Sequence, residues 1–145
     1  MIKLYTIGFT KKTARQFFEL LINNNVKKLV DVRINNASQL AGFAKGADLE
    51  YFANTICGIR YEFIADFAPT KELLSDYQNK KIDWEDYKRI YRSLIEARKV
   101  TETYNLVEFD HACFLCSEPT AEQCHRGLLV EYFWEIDSEI QIVHL

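Results

Sequence analysis

Apolar and polar positions along the chain follow two alternating periods, which predict strands and helices in turn. Short apolar runs rich in β-branched and aromatic residues predict five strands, at residues 3–7, 28–32, 59–64, 112–116 and 140–144. Between the strands, apolar residues recur at spacings of three and four, as from Ala14 to Ile22. This alternation is typical of a parallel sheet covered by helices. We therefore predict an α/β fold: an open, mostly parallel five-stranded sheet with helices on both faces, a Rossmann-like or flavodoxin-like three-layer sandwich.

Two segments depart from the plain alternation. Residues 33–46 have little periodicity and many small or amide side chains, which predicts a long loop, and long loops in compact domains often carry function. Residues from about 66 to 110 hold helical patterns, with Asp83 as the expected N-cap of the longer helix. We predict a helical excursion there. Since no linker or repeat interrupts the chain, we expect residues 1–145 to form one α/β domain.

Polar or reactive residues lie where three predicted strands end. They are Thr6 with Gly8, Asp31 with Arg33, and Cys116 with Glu118. In open α/β sheets ligands bind beyond the carboxyl ends of the strands. We therefore expect these residues to share one rim, where they form a candidate binding site.

A second group of reactive residues follows shortly after. Thr120-x-x-Gln123 matches a capping box, so we predict that a helix opens there and that Cys124, His125 and Arg126 lie in its first turns. A helix N-terminus favours anions and thiolates. Cys116 or Cys124 is then the candidate nucleophile, Glu118 or His125 the group that moves a proton, and Arg33 with Arg126 the anion-binding pair.

Simpler interpretations of the same residues stay open. Both cysteines could be packing residues, Glu118 an N-cap, and Asp31 with Arg33 a structural salt bridge. Cys113-x-x-Cys116 with Cys124-His125 also suggests zinc, but residues three apart on a strand point to opposite faces, so we predict no metal site. No Gly-x-Gly-x-x-Gly or P-loop pattern follows the first strand, and no cofactor is predicted.

Composition narrows the class of protein. The 145 residues are 48% hydrophobic and 27% charged, as in globular domains. A net charge of −3 argues against a broad nucleic-acid-binding surface. We find no signal peptide and no apolar run of membrane-spanning length, and therefore expect a cytoplasmic protein that does not associate with membranes and whose four cysteines are free thiols. The sequence predicts no oligomeric state.

Several short motifs resemble the domain-of-unknown-function family 488. The resemblance spans residues 5–133 and implies a compact α/β domain with its motifs gathered at one end, but no reaction. The residues that carry it are Tyr5-Thr6-Ile7-Gly8, Asp31-Val32-Arg33, Gly58-Ile59-x-Tyr61, Leu115-Cys116-Ser117-Glu118 and Cys124-His125-Arg126.

Two functional hypotheses follow from these residues. The first is an enzyme that acts on a small anionic or nucleotide-like molecule in a pocket of Cys, Glu, His and Arg side chains, by hydrolase- or transferase-type chemistry. The second is a non-catalytic domain that binds a ligand or the end of a nucleic acid in the same pocket. The two hypotheses differ in whether bound ligand is turned over.

Overall fold

One parallel sheet forms the centre of the molecule. The computed structural model of the chain describes residues 1–36, 42–118 and 120–145. Its strands are β1 (Lys3–Gly8), β2 (Lys28–Asp31), β3 (Arg60–Phe63), β4 (Ala112–Cys116) and β5 (Gln141–His144). All neighbouring strands are parallel, in the order β3-β2-β4-β1-β5. The predicted α/β class with a five-stranded sheet is confirmed.

Helices connect the strands. They are α1 (Ala14–Asn23), α2 (Gly46–Phe52), α3 (Lys71–Gln78), α4 (Trp84–Ala97), α5 (Val100–Thr103) and α6 (His125–Ile136). Helices α3, α4 and α5 all lie between β3 and β4, in the segment predicted as a helical excursion. Part of the loop predicted for residues 33–46, residues 37–41, lies outside the described residues. No helix in the described part of the chain is long and apolar enough to cross a membrane.

Two separate hydrophobic cores cover the two faces of the sheet. Side chains of α3, α4 and α6 pack with Leu4, Val30 and Phe114 on one face. Side chains of α1 and α2 pack with other residues of the same strands on the opposite face. Because successive side chains on a strand point to opposite faces, Cys116 belongs to the first core and Cys113 to the second. This arrangement confirms helices on both faces and the predicted separation of these two cysteines.

The position of β4 creates a crevice at the carboxyl end of the sheet. The chain leaves β1 and β2 toward α1 and α2, on one face, but it leaves β4 toward α6, on the other face. Since β4 lies between β1 and β2, its following loop is flanked on both sides by loops that turn the opposite way. Such a change of direction is where open α/β sheets bind ligands.

The helix starts agree with the sequence at some positions and differ at one. Asp83 is the N-cap of α4, as predicted, and its side chain accepts a hydrogen bond from the Asp86 amide. The capping box predicted for Thr120 and Gln123 is wrong: α6 starts at His125, with Cys124 as a cap that makes no side-chain hydrogen bond to the helix. Gln123 has a φ of 54°, in the left-handed region, so the helix cannot extend back through it.

Replacement of Thr13 and Thr120 tests the helix caps. Thr13 caps α1 in a capping box with Gln16, so Thr13→Ala should lower the free energy of unfolding by about 1 kcal/mol. Thr120→Ala should change it by a few tenths at most, because the exposed Thr120 caps no helix. Urea unfolding curves of the two variants measure the difference. Equal losses in the two variants would contradict the assignment of the caps.

Candidate functional site

A cavity of about 340 Å³ lies beyond the carboxyl ends of β1, β2 and β4. It is covered on one side by α3 and α4, and the start of α6 closes its base. Of the residues predicted from sequence, those that line it are Arg33, Cys116, Glu118, Cys124 and His125. The strands hold these residues at one level, because the parallel register places Gly8 beside Cys116 and Asp31 beside Leu115. One residue from the end of β2 and two from the end of β4 in the predicted rim, Arg33, Cys116 and Glu118, therefore line one pocket.

The sulfur of Cys116 is surrounded by hydrogen-bond donors. Arg126 Nη1 lies 2.9 Å from Cys116 Sγ, and the Glu118 backbone amide and the Cys124 thiol also act to lower the pKa of this sulfur. The residue is 1% exposed and lines the cavity. Several donors around one buried sulfur favour its ionised form.

Arg126 is fully buried, yet it forms no ion pair with any carboxylate of the described residues. Its Nη1 donates to Cys116 Sγ and, at 2.6 Å, to the Glu118 carbonyl. Its Nε and Nη2 have no hydrogen-bond partner in the described part of the chain. A buried charge without a counter-ion costs several kcal/mol, and the Cys116 thiolate is the anion that the structure offers.

The two cysteines of the pocket differ in pKa, so they lose their protons at different pH values. Burial opposes the ionisation of Cys116, but the hydrogen bonds from Cys124 and Arg126 outweigh it and lower the pKa of Cys116 to about 7. The hydrogen bond to Cys116, together with burial, raises the pKa of Cys124 well above that of a free thiol. As the pH rises through about 7, the pair therefore loses its first proton from Cys116, while Cys124 keeps its proton.

Gly8 allows the loop after β4 to approach the sheet closely. A Cβ atom at this position would lie 1.5 Å from the Glu118 carbonyl oxygen, the same oxygen that accepts from Arg126. Nearby, the Thr10 amide and hydroxyl both donate to the Ser117 carbonyl, at 3.2 and 2.5 Å. The loop after β1 thus holds the loop after β4, and a side chain at position 8 would displace the Arg126 contact.

Arg33 is oriented by a buried ion pair. Its Nε and Nη2 donate to the two carboxylate oxygens of Asp31, at 2.9 and 2.7 Å, and Tyr61 donates to the same carboxylate at 2.5 Å. The guanidinium lies 5.3 Å from the centre of the Phe9 ring. The structural salt bridge considered from sequence is therefore present, and it also presents Arg33 to the cavity.

His125 is held as a neutral imidazole. Its Nε2 lies 2.7 Å from the Val32 carbonyl, and because a carbonyl only accepts, Nε2 carries the hydrogen. Burial lowers the pKa of His125 to about 4, in spite of this hydrogen bond. Nδ1 is then unprotonated, so it is the ring nitrogen that can accept a hydrogen bond at neutral pH.

Other predicted residues support the cavity from outside its lining. Three of them lie behind the lining residues: Gly8, Asp31 and Arg126. The loop after β4 covers Arg126, and the guanidinium of this residue points inward to Cys116. Thr6 shares a hydrogen bond of 2.6 Å with His144 Nδ1, toward the neighbouring strand β5. The side chain of Glu118 is exposed at the mouth of the cavity, and its backbone makes the contacts described above.

Sequence patterns missed the far wall of the cavity. Tyr87, on the helix that follows Asp83, is buried and also lines the cavity. The spacing of apolar residues predicts that one face of this helix is buried, but it does not predict where that face meets the sheet. The further lining residues that were not predicted are Phe9, Ile34, Asn35, Lys71, Leu74, Ser75, Tyr77, Gln78, Ser117 and Gln123.

The zinc interpretation fails on side-chain geometry, since Cys113 and Cys116 lie in different cores. Within residues 1–36, 42–118 and 120–145, no three His, Cys, Asp or Glu side chains are grouped so that they could hold a metal ion.

The pH dependence of thiol alkylation tests the pairing of Cys116 with Arg126. Because the pKa of Cys116 is lowered to about 7, its reaction with iodoacetamide should rise through that pH and fall away below it, where the sulfur is protonated. Arg126→Met should raise the midpoint by about one unit or more, as loss of a neighbouring opposite charge does, whereas Arg126→Lys should shift it less. Peptide mass spectrometry follows the modification of Cys116, and a wild-type midpoint near that of free cysteine would contradict the pairing.

Comparison with known proteins gives one match. A search of curated proteins and a search of solved structures each found no similar protein. Residues 13–133, most of the chain, match the family described as Domain of unknown function DUF488. The matched range contains all the cavity-lining residues from Arg33 to His125. The chain belongs to the DUF488 family.

Proposed function

We propose that the chain is an enzyme in which the Cys116 thiolate attacks a small anionic or nucleotide-like molecule bound in the cavity. One observation carries the proposal: the buried guanidinium of Arg126 has the Cys116 sulfur, and no carboxylate of the described residues, as its anionic partner. A structural cysteine needs no such partner, whereas a nucleophilic one is activated by it. Cys116 also lines a cavity of a volume typical for small ligands.

Positive groups at the cavity support an anionic ligand. Arg33 lines it, and Arg33 Nη1 has no hydrogen-bond partner among the described residues, although Asp31 holds the other two nitrogens of the guanidinium. The exposed Lys71 at the start of α3 lies on the opposite side. The N-terminal end of α6 adds the positive end of a helix dipole. Arg126 contributes indirectly, because it neutralises the negative charge of the Cys116 thiolate, which would otherwise repel an anion.

Aromatic side chains favour a ligand that has a ring or another flat apolar part. Phe9, Tyr77 and Tyr87 line the cavity, and Tyr87 stacks on Trp84 at an interplanar angle of 16°. A cavity that combines aromatic side chains with cations suits a molecule with an apolar body and a charged group. A nucleotide-like compound has both.

The positions of these groups are consistent with a reaction in two steps. The Cys116 thiolate attacks an acyl or phosphoryl centre of the ligand, a covalent bond forms to sulfur, and the leaving group departs with a proton from the solvent. Water or an acceptor then attacks the intermediate, and Nδ1 of His125 accepts a hydrogen bond that orients this second nucleophile while its proton passes to the solvent. Water makes the enzyme a hydrolase, and another acceptor makes it a transferase.

A pair of related alkylating reagents tests the preference for anions. Iodoacetate and iodoacetamide deliver the same carbon, but only iodoacetate is charged. The ratio of the iodoacetate rate to the iodoacetamide rate should be higher at Cys116 than in glutathione. Lys71→Met should lower this ratio by up to about fivefold, the factor that corresponds to the roughly 1 kcal/mol of an exposed ion pair. Lys27→Met is the matched control, because Lys27 is an exposed lysine before β2, at the other end of the sheet. A ratio equal to that of glutathione would contradict the anionic pocket.

Acetyl phosphate, an anion with both an acyl and a phosphoryl centre, tests catalysis. Incubation should leave an adduct on Cys116 and release the other product repeatedly, and Cys116→Ser should abolish both. His125→Asn should slow the second step, so that the adduct accumulates. Intact-protein mass spectrometry and an assay for inorganic phosphate measure the two effects. Saturable binding of acetyl phosphate without adduct or turnover would instead support the non-catalytic binding domain.

A further inference from the structure

The second cysteine of the cavity has no role in the chemistry proposed above. Cys124 is 4% exposed, lines the same cavity as Cys116, and caps α6 without making a capping hydrogen bond. Its sulfur lies 3.9 Å from Arg126 Nη1, the nitrogen that is 2.9 Å from Cys116 Sγ. The two sulfurs thus meet at one nitrogen, and the interaction between them lowers the pKa of Cys116 and raises that of Cys124. A packing cysteine would not need to point at a second, ionised sulfur.

We propose that Cys116 and Cys124 form a dithiol that reduces a small hydroperoxide and becomes a disulfide, with Cys116 as the attacking sulfur and Cys124 as the resolving one. The proposal uses the nucleophile of the proposed function, but it requires none of that function's substrates. A count of free thiols tests it independently of acyl or phosphoryl chemistry.

The first step is a two-electron transfer from sulfur to oxygen. The Cys116 thiolate attacks the outer oxygen of the hydroperoxide, a sulfur–oxygen bond forms and the oxygen–oxygen bond breaks. The released alkoxide or hydroxide takes a proton from water and leaves as an alcohol or water. Cys116 is then a sulfenic acid, oxidised by the two electrons that the peroxide gained. Arg126 assists this step because it keeps the sulfur ionised before the attack.

The second step uses the proton that Cys124 retains. The Cys124 sulfur attacks the sulfur of the sulfenic acid, a disulfide bond forms, and the hydroxyl group leaves as water with the Cys124 proton. A thiol reductant returns both cysteines to their starting state. Oxidation also removes the negative charge that faces Arg126, so the disulfide form leaves a buried guanidinium without its anion. We therefore expect it to be reduced readily.

The positions of the other two cysteines, Cys113 and Cys57, exclude them from the disulfide with Cys116. Cys113 is three residues from Cys116, but its side chain lies in the core on the opposite face of the sheet. Cys57 packs at the edge of that same second core, where its sulfur lies 3.8 Å from the Phe18 carbonyl. A disulfide between Cys116 and Cys113 would have to cross β4. The neighbouring thiol on the cavity side is Cys124.

Oxidation of the full-length protein with stoichiometric hydrogen peroxide, followed by alkylation with N-ethylmaleimide under denaturing conditions, tests the proposal. Of the four free thiols, two should be lost, and dithiothreitol should restore both. A protease that cleaves after glutamate cuts at Glu122, between the two cysteines. The disulfide should therefore appear as two peptides joined through Cys116 and Cys124.

Three variants distinguish this pair from general thiol oxidation. Cys113→Ser is the matched control and should lose the same two thiols as the wild type. Cys116→Ser should lose none at this peroxide concentration. Cys124→Ser should stop at the sulfenic acid, which dimedone traps on Cys116. Four alkylated thiols in the oxidised wild type, or a linkage that includes Cys113 or Cys57, would overturn the proposal. Equal dimedone labelling of wild type and Cys124→Ser would overturn it as well.

Discussion

The contact between a buried guanidinium and a buried sulfur organises the carboxyl end of this sheet. Arg126 is fully enclosed, its Nη1 reaches Cys116 and the Glu118 carbonyl, and its other nitrogens find no partner in the described residues. Removing such a charge from water is costly unless an anion compensates it. The compensation requires Cys116 to ionise. A single constraint, neutralisation of Arg126, therefore accounts for the lowered pKa of Cys116, for the close approach of the Glu118 backbone and for the absence of a side chain at Gly8.

The order of the strands places this contact where a ligand can reach it. Because β4 lies between β1 and β2, the loop that carries Cys116 and Glu118 is bounded by the loops that carry Thr10 and Arg33. Bonds from Thr10 to Ser117 fix one boundary, and the Asp31 carboxylate fixes the other through Arg33. The site is thus built on strand ends and held by neighbouring loops. Such support is what precise orientation of reactive groups requires.

The buried side chains of the site divide into two charged pairs and two neutral groups. Arg33 is paired with Asp31, and Arg126 with the Cys116 sulfur, so each buried cation has one anionic neighbour. His125 stays neutral beside them, since burial lowers its pKa in spite of the hydrogen bond that Nε2 donates to the Val32 carbonyl. Once Cys116 has ionised, one thiolate, one thiol and one neutral imidazole line the same cavity. These three states allow nucleophilic attack, proton transfer and sulfur exchange to be considered for one pocket.

The sequence by itself determined the class of fold and part of the cavity lining. Period-two and period-three-to-four patterns depend on local geometry, so strands such as residues 112–116 and the cap at Asp83 could be found without a structure. The rule that parallel strands end at one edge then brought Arg33, Cys116 and Glu118 together. Tertiary structure alone decided the rest. Contacts between residues far apart in the chain place β4 between its neighbours and put Tyr87 in the wall of the cavity. The left-handed Gln123 moved the start of α6 to His125. The pairing of Arg126 with Cys116, and not with Asp31 or Glu118, depends on which groups are buried together, because burial sets the energy of a charge and no spacing of residues encodes it.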